Sequence, residues 1–577
     1  MARTVCISFV FSLLLSSLMR PAENKNNIKT PLIIFHIDLN SVALKEDYLR
    51  KWLLKAADMG YNAVLWEVED KVKWETCPEC VSPDAFSKKT FKEIVKYSKS
   101  LGLEPIPLLQ TVGHAEYVLR HKKYISFKED PLKYDCYATG KPELRKFIKS
   151  WIKEYLDLFG GIRYFHLGGD EAYEFATNPS SYAEVRKYGK GKLYADYMSD
   201  VARPLLKKGI RPCIWNDMIM KYPEAISSIP ESFVIWDWNY WDGDATPQKV
   251  MVWDKGKKLS KEELTPDDIR NFPEIIDKSG NLRAFYTAET LKRLGYDVVL
   301  CSSSRSSGDG VFAVRQAIHA SNIIGAAKKT VEDNLLGTCV TSWAVRIPRY
   351  ETQQTLFCLA PLTIKYSTLT QTELQSKSFE FTFGSSNKKI MEAFDNISFP
   401  FPFADGQSTG IMWTGMKDSR PAPPGYIKNM ITKWKSEDLG KQWVENVALI
   451  KESTIKISEG IRKLNEFLPK AAKGLDVLEA WEKAGYFQYR GSVIANYIVT
   501  GDRRGMIPDG LSEWNSRTDS SFQATPAKNK KDAAQLLIQL KSNYKQWADS
   551  WMTPNSSESN SGLIYDALIN YFKTNDN

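Results

Sequence analysis

From residue 31 onward the sequence alternates short apolar or β-branched runs with longer amphipathic ones. Eight short runs have the length and composition of strands: Leu32–Leu39, Ala63–Val68, Glu104–Leu109, Tyr164–Leu167, Arg211–Trp215, Phe233–Trp238, Asp297–Cys301 and Leu336–Thr341. Helical periodicity follows them in Glu46–Met59, Phe91–Leu101, Glu143–Phe159, Leu193–Lys208, Thr287–Leu294, Val311–Ala327 and Thr352–Leu362. Eight β-then-α units in series predict an α/β fold, a (β/α)8 TIM barrel over residues 30–370, rather than an open doubly wound sheet.

The pattern changes beyond the barrel. Residues 371–424 are predicted to be a loop-rich connector that ends in the stiff, proline-rich segment 420–425. From residue 425 to 577 helical periodicity dominates, as in Ile461, Leu464 and Leu468, which share one helix face. We therefore expect a C-terminal α-helical domain that packs on the barrel, with Asn555–Gly562 as a loop between its last two helices.

The N-terminus has the pattern of a secretory signal peptide, which we assign to residues 1–22. Arg3 precedes an apolar run from Val5 to Met19, and polar residues follow. This run is short for a membrane span, so we expect signal cleavage without stable membrane insertion. The chain is predicted to be exported to the periplasm or secreted.

Composition narrows the choice of partner. Aromatic residues make up 12% of the chain, with 17 Trp and 27 Tyr, which suits either a large aromatic core or a site where sugar rings stack. The net charge of +9 is spread along the chain, and the densest basic stretch, Lys255–Lys261, has no interleaved aromatics. Nucleic acid is therefore not an expected partner.

The cysteines give no sign of a metal site. Cys77 and Cys80 are the only tight pair among eight cysteines, and Cys136 is the nearest plausible third thiol. A structural zinc site needs about four ligands. The pair is thus a loop disulfide or two free thiols, and no metal or organic cofactor is predicted.

Polar and aromatic residues follow seven of the predicted strands. In a (β/α)8 barrel, the carboxyl ends of the strands meet at the face that carries the active site. Strand-end caps would explain one or two such clusters but explain seven poorly. The clusters are His36–Asp38, Glu67–Asp70, Gln110–Glu116, His166–Glu171, Trp215–Asp217, Trp236–Trp238 and Trp343.

The most informative cluster is Gly168-Gly169-Asp170-Glu171 at the end of the fourth predicted strand. Neighbouring side chains of a regular strand point to opposite faces. Two glycines allow the chain to turn, so that both carboxylates can be presented together. An isolated Asp-Glu pair would instead be typical of a helix N-terminus.

The string His166-Leu-Gly-Gly-Asp-Glu resembles the signature of glycoside hydrolase family 20, and the blocks 66–70, 106–116, 215–218 and 341–343 resemble the family in matching order. The resemblance covers roughly residues 30–366. It implies an exo-β-N-acetylhexosaminidase that removes terminal GlcNAc or GalNAc from glycans. In this family the substrate's own acetamido group is the nucleophile, and the anomeric configuration is retained.

The resemblance also implies roles for individual residues. Asp170 orients the acetamido group, and Glu171 is the general acid and base. His114 supports the acid, with the carboxylate of Asp70 behind it. The residues expected to bind the sugar are Trp215, Trp236, Trp238, Trp343, Asp38, Glu116 and Asp217, with Trp236 and Trp238 competing for one place in the wall.

Two features depart from the family pattern. Residues 38–41 lack the arginine that commonly clamps the sugar hydroxyls, and Ser302–Arg305 stands where an aromatic hydroxyl commonly binds the acetamido carbonyl. Arg305 and Arg346 are candidate replacements, and the choice between gluco and galacto sugars stays open. Two alternatives also stay open: a retaining glycosidase that pairs Glu171 with Glu67 or Glu69, and a non-catalytic glycan-binding barrel.

Overall fold

The structure is a computed structural model. It describes residues 30–40, 42–306, 308–343, 349–399, 428–429, 432, 440–468, 473–500 and 530–574. The assigned signal peptide, Arg346 and the proline-rich segment 420–425 lie outside the described residues. None of the helices within the described residues is long and apolar enough to cross a membrane.

Eight parallel strands close into a barrel, which confirms the predicted (β/α)8 fold. In spatial order they run β1-β10-β9-β6-β5-β4-β3-β2, and β1 pairs with both β2 and β10. A separate antiparallel hairpin, β7 with β8, lies in the long insertion after β6. The strands are β1 Leu32–Asp38, β2 Ala63–Glu67, β3 Glu104–Leu108, β4 Tyr164–His166, β5 Arg211–Trp215, β6 Val234–Trp238, β7 Val250–Val252, β8 Lys257–Leu259, β9 Asp297–Arg305 and β10 Gly337–Ser342.

Helices surround the barrel and make up most of the described C-terminal part. The barrel region carries α1 Glu46–Met59, α2 Lys88–Ser100, α3 Glu116–Leu119, α4 Pro142–Phe159, α5 Tyr182–Leu206, α6 Asp217–Lys221, α7 Pro266–Asn271, α8 Tyr286–Arg293, α9 Gln316–Glu332, α10 Gln354–Phe357 and α11 Leu359–Lys365. Beyond it lie α12 Gln371–Phe383, α13 Lys388–Ile397, α14 Gly440–Asn465, α15 Leu475–Thr500, α16 Lys530–Ala548 and α17 Pro554–Thr574.

Two loop predictions are wrong. The expected loop-rich connector contains α12 and α13. Thr370 and Glu373 form a capping box that starts α12, and α13 buries an apolar face. The expected loop Asn555–Gly562 lies inside α17, because Ser557 and Asn560 are buried and hydrogen-bonded there. Tertiary packing outweighs the weak helix propensity of these serine-rich residues.

The barrel strands separate two apolar layers. In β2, Ala63 and Leu65 point into the lumen, whereas Val64 and Trp66 pack against the surrounding helices. The same alternation continues along the other strands. At the carboxyl ends, the lumen side therefore passes from apolar residues to the polar and aromatic ones that form the candidate site.

The C-terminal helices pack on loops at the carboxyl face of the barrel. After β1, the backbone N–H of Lys45 donates to the carbonyl of Trp551 at 2.9 Å. After β9, the ring of Phe312 stacks on Phe487 of α15 with centroids 5.2 Å apart. After β10, the guanidinium of Arg349 lies 4.5 Å from the ring centroid of Trp551. One apolar core thus extends from the barrel into these helices.

Candidate active site

The segment after β4 turns sharply at two glycines. Gly168 and Gly169 have φ of +64° and +96°, in the left-handed region that favours glycine. A Cβ at Gly168 would lie 2.1 Å from the Oε1 atom of Gln110, and one at Gly169 would lie 2.5 Å from the Tyr194 hydroxyl. Side chains do not fit at either position. The turn brings Asp170 and Glu171, which a straight strand would point apart, to the same imidazole.

That imidazole belongs to His114. Its Nε2 atom lies 3.2 Å from Oδ2 of Asp170 and 3.5 Å from Oε2 of Glu171. Burial alone would lower the pKa of His114, but the charge and hydrogen bond of Asp170, with further negative charge from Glu171, raise this pKa well above its ordinary value. His114 is therefore an imidazolium at neutral pH, held between two neighbouring carboxylates.

The two carboxylates differ in exposure. Asp170 is buried, at 7% exposed, whereas the side chain of Glu171 is 38% exposed. Glu171 itself has a left-handed backbone, with φ of 45°, which turns its side chain away from the direction of β4. The arrangement suits one fixed, buried charge and one carboxylate that can exchange protons with a bound molecule and with water.

Asp217, an expected sugar ligand, lies beneath Glu171. Its Oδ2 atom accepts a hydrogen bond from the backbone N–H of Glu171 at 2.9 Å, and its Oδ1 atom lies 3.5 Å from the indole nitrogen of Trp238. Burial and the negative charge of Asp170 raise the pKa of Asp217 to about 8. This geometry makes Asp217 a support for the backbone of Glu171.

Glu67 is the carboxylate of β2 that points into the lumen. It accepts a hydrogen bond from the Nε2 amide of Gln110 at 2.9 Å and lies 3.4 Å from Nε2 of His36. Burial raises the pKa of Glu67 to about 7, while the hydrogen bond from Gln110 and the positive charge of His114 oppose that rise. Glu67 therefore lies near His114, beneath the Asp170–Glu171 pair.

Asp70 does not take the place expected behind His114, and this prediction is wrong. Its ion pairs are to Lys71 and to Arg120, the latter at 3.2 Å. Side chains alternate along β2, so Glu67 points inward, and Glu69 with φ of 37° then turns the chain away from the lumen. Asp70 consequently stabilises the loop after β2.

The floor of the site is aromatic and neutral. Trp215 and Trp236 are each 1% exposed, and their rings meet edge to face with centroids 5.8 Å apart. Below them, His166 accepts a hydrogen bond from the N–H of Gly168 at 3.0 Å, and burial lowers its pKa well below the ordinary value. Burial also lowers the pKa of His36 to about 4. Both histidines are therefore uncharged supports.

The mouth of the site carries half-buried rings. Trp238 lies two residues after Trp236 on the same side of β6, and it is partly exposed beside Asp217. The two tryptophans that competed for one place therefore differ: Trp236 belongs to the floor of the site and Trp238 to its mouth. Trp343 donates a hydrogen bond from its indole N–H to the hydroxyl of Tyr240 at 3.1 Å. Tyr240 was missed from the sequence because it lies in the long insertion after β6, which has no counterpart among the recognised motifs.

The remaining residues expected to bind the sugar are Asp38 and Glu116, with Arg305 as a candidate replacement. Asp38 is buried and accepts a hydrogen bond from the N–H of Asn40 at 2.7 Å. Glu116 is half-buried at the start of α3, and its charge contributes to the raised pKa of His114. Arg305 is buried and donates to the carbonyls of Gly310 and Val311, so it braces its own loop.

The cysteine pair of the β2 loop is resolved by the structure. Cys77 and Cys80 form a disulfide, one of the two states left open by the sequence. Within the described residues, no three His, Cys, Asp or Glu side chains are grouped so as to hold a metal ion.

Comparison with known proteins shows what part of this chain resembles. Residues 64–259 match the model of the glycosyl hydrolase family 20 catalytic domain. The resemblance to family 20 is confirmed. Over 215 residues the chain is 29% identical to hexosaminidase D of Bos taurus, a match that covers 36% of this chain and 62% of the relative. It is also 26% identical over 230 residues to the lacto-N-biosidase of Bifidobacterium bifidum, covering 37% of this chain and 20% of that protein.

The match is partial on both sides. It spans less than two thirds of the length of these curated relatives. Among solved structures, the β-N-acetylhexosaminidase of Bacteroides fragilis is 17% identical, with a TM-score of 0.42 over 57% of this chain and 66% of that one. The family 20 match includes β2 to β8 and therefore His114, Asp170, Glu171 and Asp217.

Proposed function

We propose that this protein is an exo-β-N-acetylhexosaminidase that removes terminal GlcNAc or GalNAc from glycans with retention of configuration. The observation that carries the proposal is the position of the His114 imidazole between Asp170 and Glu171, which a glycine turn places at the carboxyl end of β4. The family 20 match over the same residues supports it.

In the proposed first step the acetamido oxygen of the substrate attacks its own anomeric carbon. The bond from that carbon to the leaving oxygen breaks, and Glu171 donates its proton to this oxygen. The product is an alcohol and a cyclic oxazolinium ion. Asp170 accepts a hydrogen bond from the acetamido N–H and offsets the positive charge that develops on the ring.

In the proposed second step a water molecule attacks the anomeric carbon from the side that the leaving group vacated. The carboxylate of Glu171 takes a proton from this water, and the oxazolinium ring opens to restore the acetamido group. The imidazole of His114, whose Nε2 atom lies 3.2 Å from Oδ2 of Asp170, holds this carboxylate in position through both steps. Glu171 ends protonated, ready for the next substrate.

We propose that Trp215, Trp343 and Trp238 enclose the terminal sugar, with the hydroxyl of Tyr240 offered to the acetamido carbonyl. Sugar rings present apolar C–H faces that pack on aromatic rings. The buried floor formed by Trp215 and Trp236 blocks the lumen, which favours a chain end over an internal unit. Tyr240 would thereby replace the aromatic hydroxyl that Ser302–Arg305, at the end of β9, does not supply.

The burial of the other carboxylates argues against a two-carboxylate mechanism. A nucleophile and an acid would flank the scissile bond about 5 Å apart. The two candidate partners of Glu171, Glu67 and Glu69, are buried, and both have raised pKa values caused first by that burial. They are poor nucleophiles in this setting.

The test is a panel of aryl β-glycosides: N-acetylglucosaminide, N-acetylgalactosaminide, glucoside and galactoside. We expect turnover only of the two acetamido sugars and competitive inhibition by a thiazoline that mimics the oxazolinium ring. A 2-fluoro glycoside probe should leave no sugar on the protein, by mass spectrometry of the intact chain. Equal rates on glucoside, or a labelled carboxylate, would contradict the proposal.

We also propose that the chain is exported. The support is the charged start and apolar run of residues 1–22. Expression in a Gram-negative host followed by fractionation should recover the protein outside the cytoplasm, with a new N-terminus close to residue 22. Recovery of the full-length chain from the cytoplasm would contradict this.

A further inference from the structure

A buried amide on α9 holds the short segment that carries Tyr240, which we call the Tyr240 turn (residues 239–242). The amide belongs to Asn322, which is 1% exposed. Its nitrogen donates hydrogen bonds to the backbone carbonyls of Asn239 and Asp242, both at 2.8 Å. These carbonyls lie on either side of Tyr240 in the chain. The two donors of one amide therefore hold both ends of the Tyr240 turn.

The same amide joins the Tyr240 turn to a strand of the barrel. The side-chain oxygen of Asn322 accepts a hydrogen bond from the backbone N–H of Ser303 in β9 at 3.0 Å. A backbone N–H can only donate and a carbonyl can only accept, so this position requires an acceptor and two donors in one short side chain. Asparagine provides this combination. Aspartate has the same shape, but its carboxylate lacks both donors.

The helix α9 also packs directly against the backbone that follows the Tyr240 turn. A Cβ at Gly325 would lie 2.6 Å from the carbonyl carbon of Gly243 and 2.9 Å from the backbone nitrogen of Asp244. No side chain therefore fits between the helix and this backbone. The position of residues 239–244 thus depends on α9 at two places, the Asn322 amide and the surface at Gly325.

Hydrogen bonds within the Tyr240 turn make it move as a unit. The side-chain oxygen of Asn239 accepts from the backbone N–H groups of Trp241 and Asp242 at 3.2 and 3.0 Å, and its side-chain nitrogen donates to the Asp242 carboxylate at 2.8 Å. The Tyr240 hydroxyl lies 3.1 Å from the indole nitrogen of Trp343. A shift at the ends of the turn would therefore displace this hydroxyl in the mouth of the site.

We propose that Asn322 is a positioning residue that sets where the Tyr240 hydroxyl meets the acetamido carbonyl of the substrate. The inference rests on the proposed function, in which this hydroxyl binds that carbonyl. Asn322 acts through the backbone of the Tyr240 turn. Hydrogen bonds weaken steeply with distance and angle, so a small displacement of the turn removes the contribution of the hydroxyl. Loss of the Asn322 donors and loss of the hydroxyl should then cost the same, and both losses together should cost no more.

The experiment is a double-mutant cycle with an aryl β-N-acetylglucosaminide as the substrate. Tyr240→Phe should lower kcat/KM about fivefold, the contribution of one hydrogen bond. Asn322→Asp should lower it by a similar factor in the wild-type chain and should have no further effect in the Tyr240→Phe background. Gly325→Ala displaces the same backbone without changing any hydrogen-bonding group, so it should repeat this pattern and takes the place of Asn322→Asp if that variant does not fold.

Thr330→Val is the matched control. Thr330 is buried on α9 and donates to the carbonyl of Ala326 in the same helix at 2.9 Å, so its loss affects the helix without touching the Tyr240 turn. We expect kcat/KM to be unchanged. Losses that multiply in the double variant would overturn the proposal, because Asn322 would then act independently of the Tyr240 hydroxyl. An unchanged kcat/KM in the α9 variants, or in Tyr240→Phe, would also overturn it.

A measurement that needs no turnover separates this inference from the proposed function. If the wild-type chain does not hydrolyse the N-acetylglucosaminide, the proposed function fails, and hydrogen exchange at the amides of Trp241 and Asp242 tests the positioning role instead. Exchange should be faster in Asn322→Asp, or in Gly325→Ala, than in Thr330→Val, because the Tyr240 turn has lost its attachment to α9. Equal exchange in the α9 variants and the control would overturn the positioning role.

Discussion

The Nε2 atom of His114 lies 3.2 Å from the Oδ2 atom of Asp170, and the same nitrogen lies 3.5 Å from Glu171. A single imidazolium therefore serves two adjacent carboxylates. His114 has a left-handed backbone, with φ of 51°, and so does Glu171. The chain is therefore held in an uncommon conformation at both of these residues. Such conformations cluster at functional sites.

Glu171→Gln should lose activity according to the leaving group. A glutamine cannot donate a proton, so glycosides with alkyl leaving groups should be almost inert, while activated phenols, which need little protonation, should retain much of their rate. The measurement is kcat/KM across a series of aryl glycosides with different phenol pKa values. Glu184→Gln, on α5, is the control and should behave as wild type. A uniform loss across the series would contradict the role of Glu171.

Asp170→Asn should slow every substrate by a similar factor. The acetamido group loses its orienting charge whatever departs, and removing a preorganised electrostatic partner costs about 3 kcal/mol, or 10²–10³-fold in kcat. The same leaving-group series, measured on this variant, should give a line parallel to that of the wild type. A slope like that of Glu171→Gln would show that the two carboxylates do not divide the work as proposed.

Asp217→Asn should make folding stability less sensitive to a rise in pH between 3.8 and about 8. The pKa of Asp217 is raised in the folded chain from 3.8 to about 8, so the folded state binds more protons than the unfolded state within that range. Folding stability contributed by this group therefore falls as pH rises from 3.8 to about 8. Thermal melting across that range should show a shallower fall in Tm for Asp217→Asn than for wild type. Parallel curves would contradict the buried environment of Asp217.

Trp551→Ala should loosen the loop after β1. The side chain of Trp551 is fully buried and stacks with Arg349, and its backbone carbonyl accepts a hydrogen bond from the Lys45 N–H. Its removal should lower the free energy of unfolding by about 3–5 kcal/mol. Hydrogen exchange at the Lys45 amide should also become faster than global unfolding explains. Trp151→Ala is the control: this residue is equally buried on α4, so it should cost similar stability without local opening after β1. Equal protection of Lys45 in both variants would contradict a bracing role.

The sequence predicts much of the barrel and part of the candidate site, for physical reasons. The hydrophobic period of a strand differs from that of a helix, so eight alternations between strand and helix can be recognised in the sequence. The strand predicted at Arg211–Trp215 has the same bounds in the structure. Asp170, Glu171 and His114 were found because they lie in contiguous motifs. Glu67 was not assigned beside His114, because neither periodicity nor a motif gives the absolute phase of β2, and that phase decides whether Glu67 or a neighbour points inward.

The other omissions depend on contacts between distant segments. Tyr240 belongs to the insertion after β6, and only the closed barrel brings it to Trp343. The helix α17 starts in a serine-rich stretch that is helical because its polar side chains are buried against α16, as in the hydrogen bond from Tyr544 to Asn560. The helix propensity of a segment does not depend on such distant partners and therefore cannot predict them.

The C-terminal helices contact the loops after four strands that are neighbours in the barrel: β9, β10, β1 and β2. The last of these contacts is made by Asp84, which accepts hydrogen bonds from Thr553 and Ser556. Glu171 follows β4, and the insertion that contains Tyr240 follows β6. Barrel enzymes acquire new specificities chiefly by exchanging such loops. In this protein, a new loop after β9, β10, β1 or β2 must also preserve the contacts with the C-terminal helices. The loops after β4 and β6 are therefore the better positions for changing the specificity of the site by directed evolution.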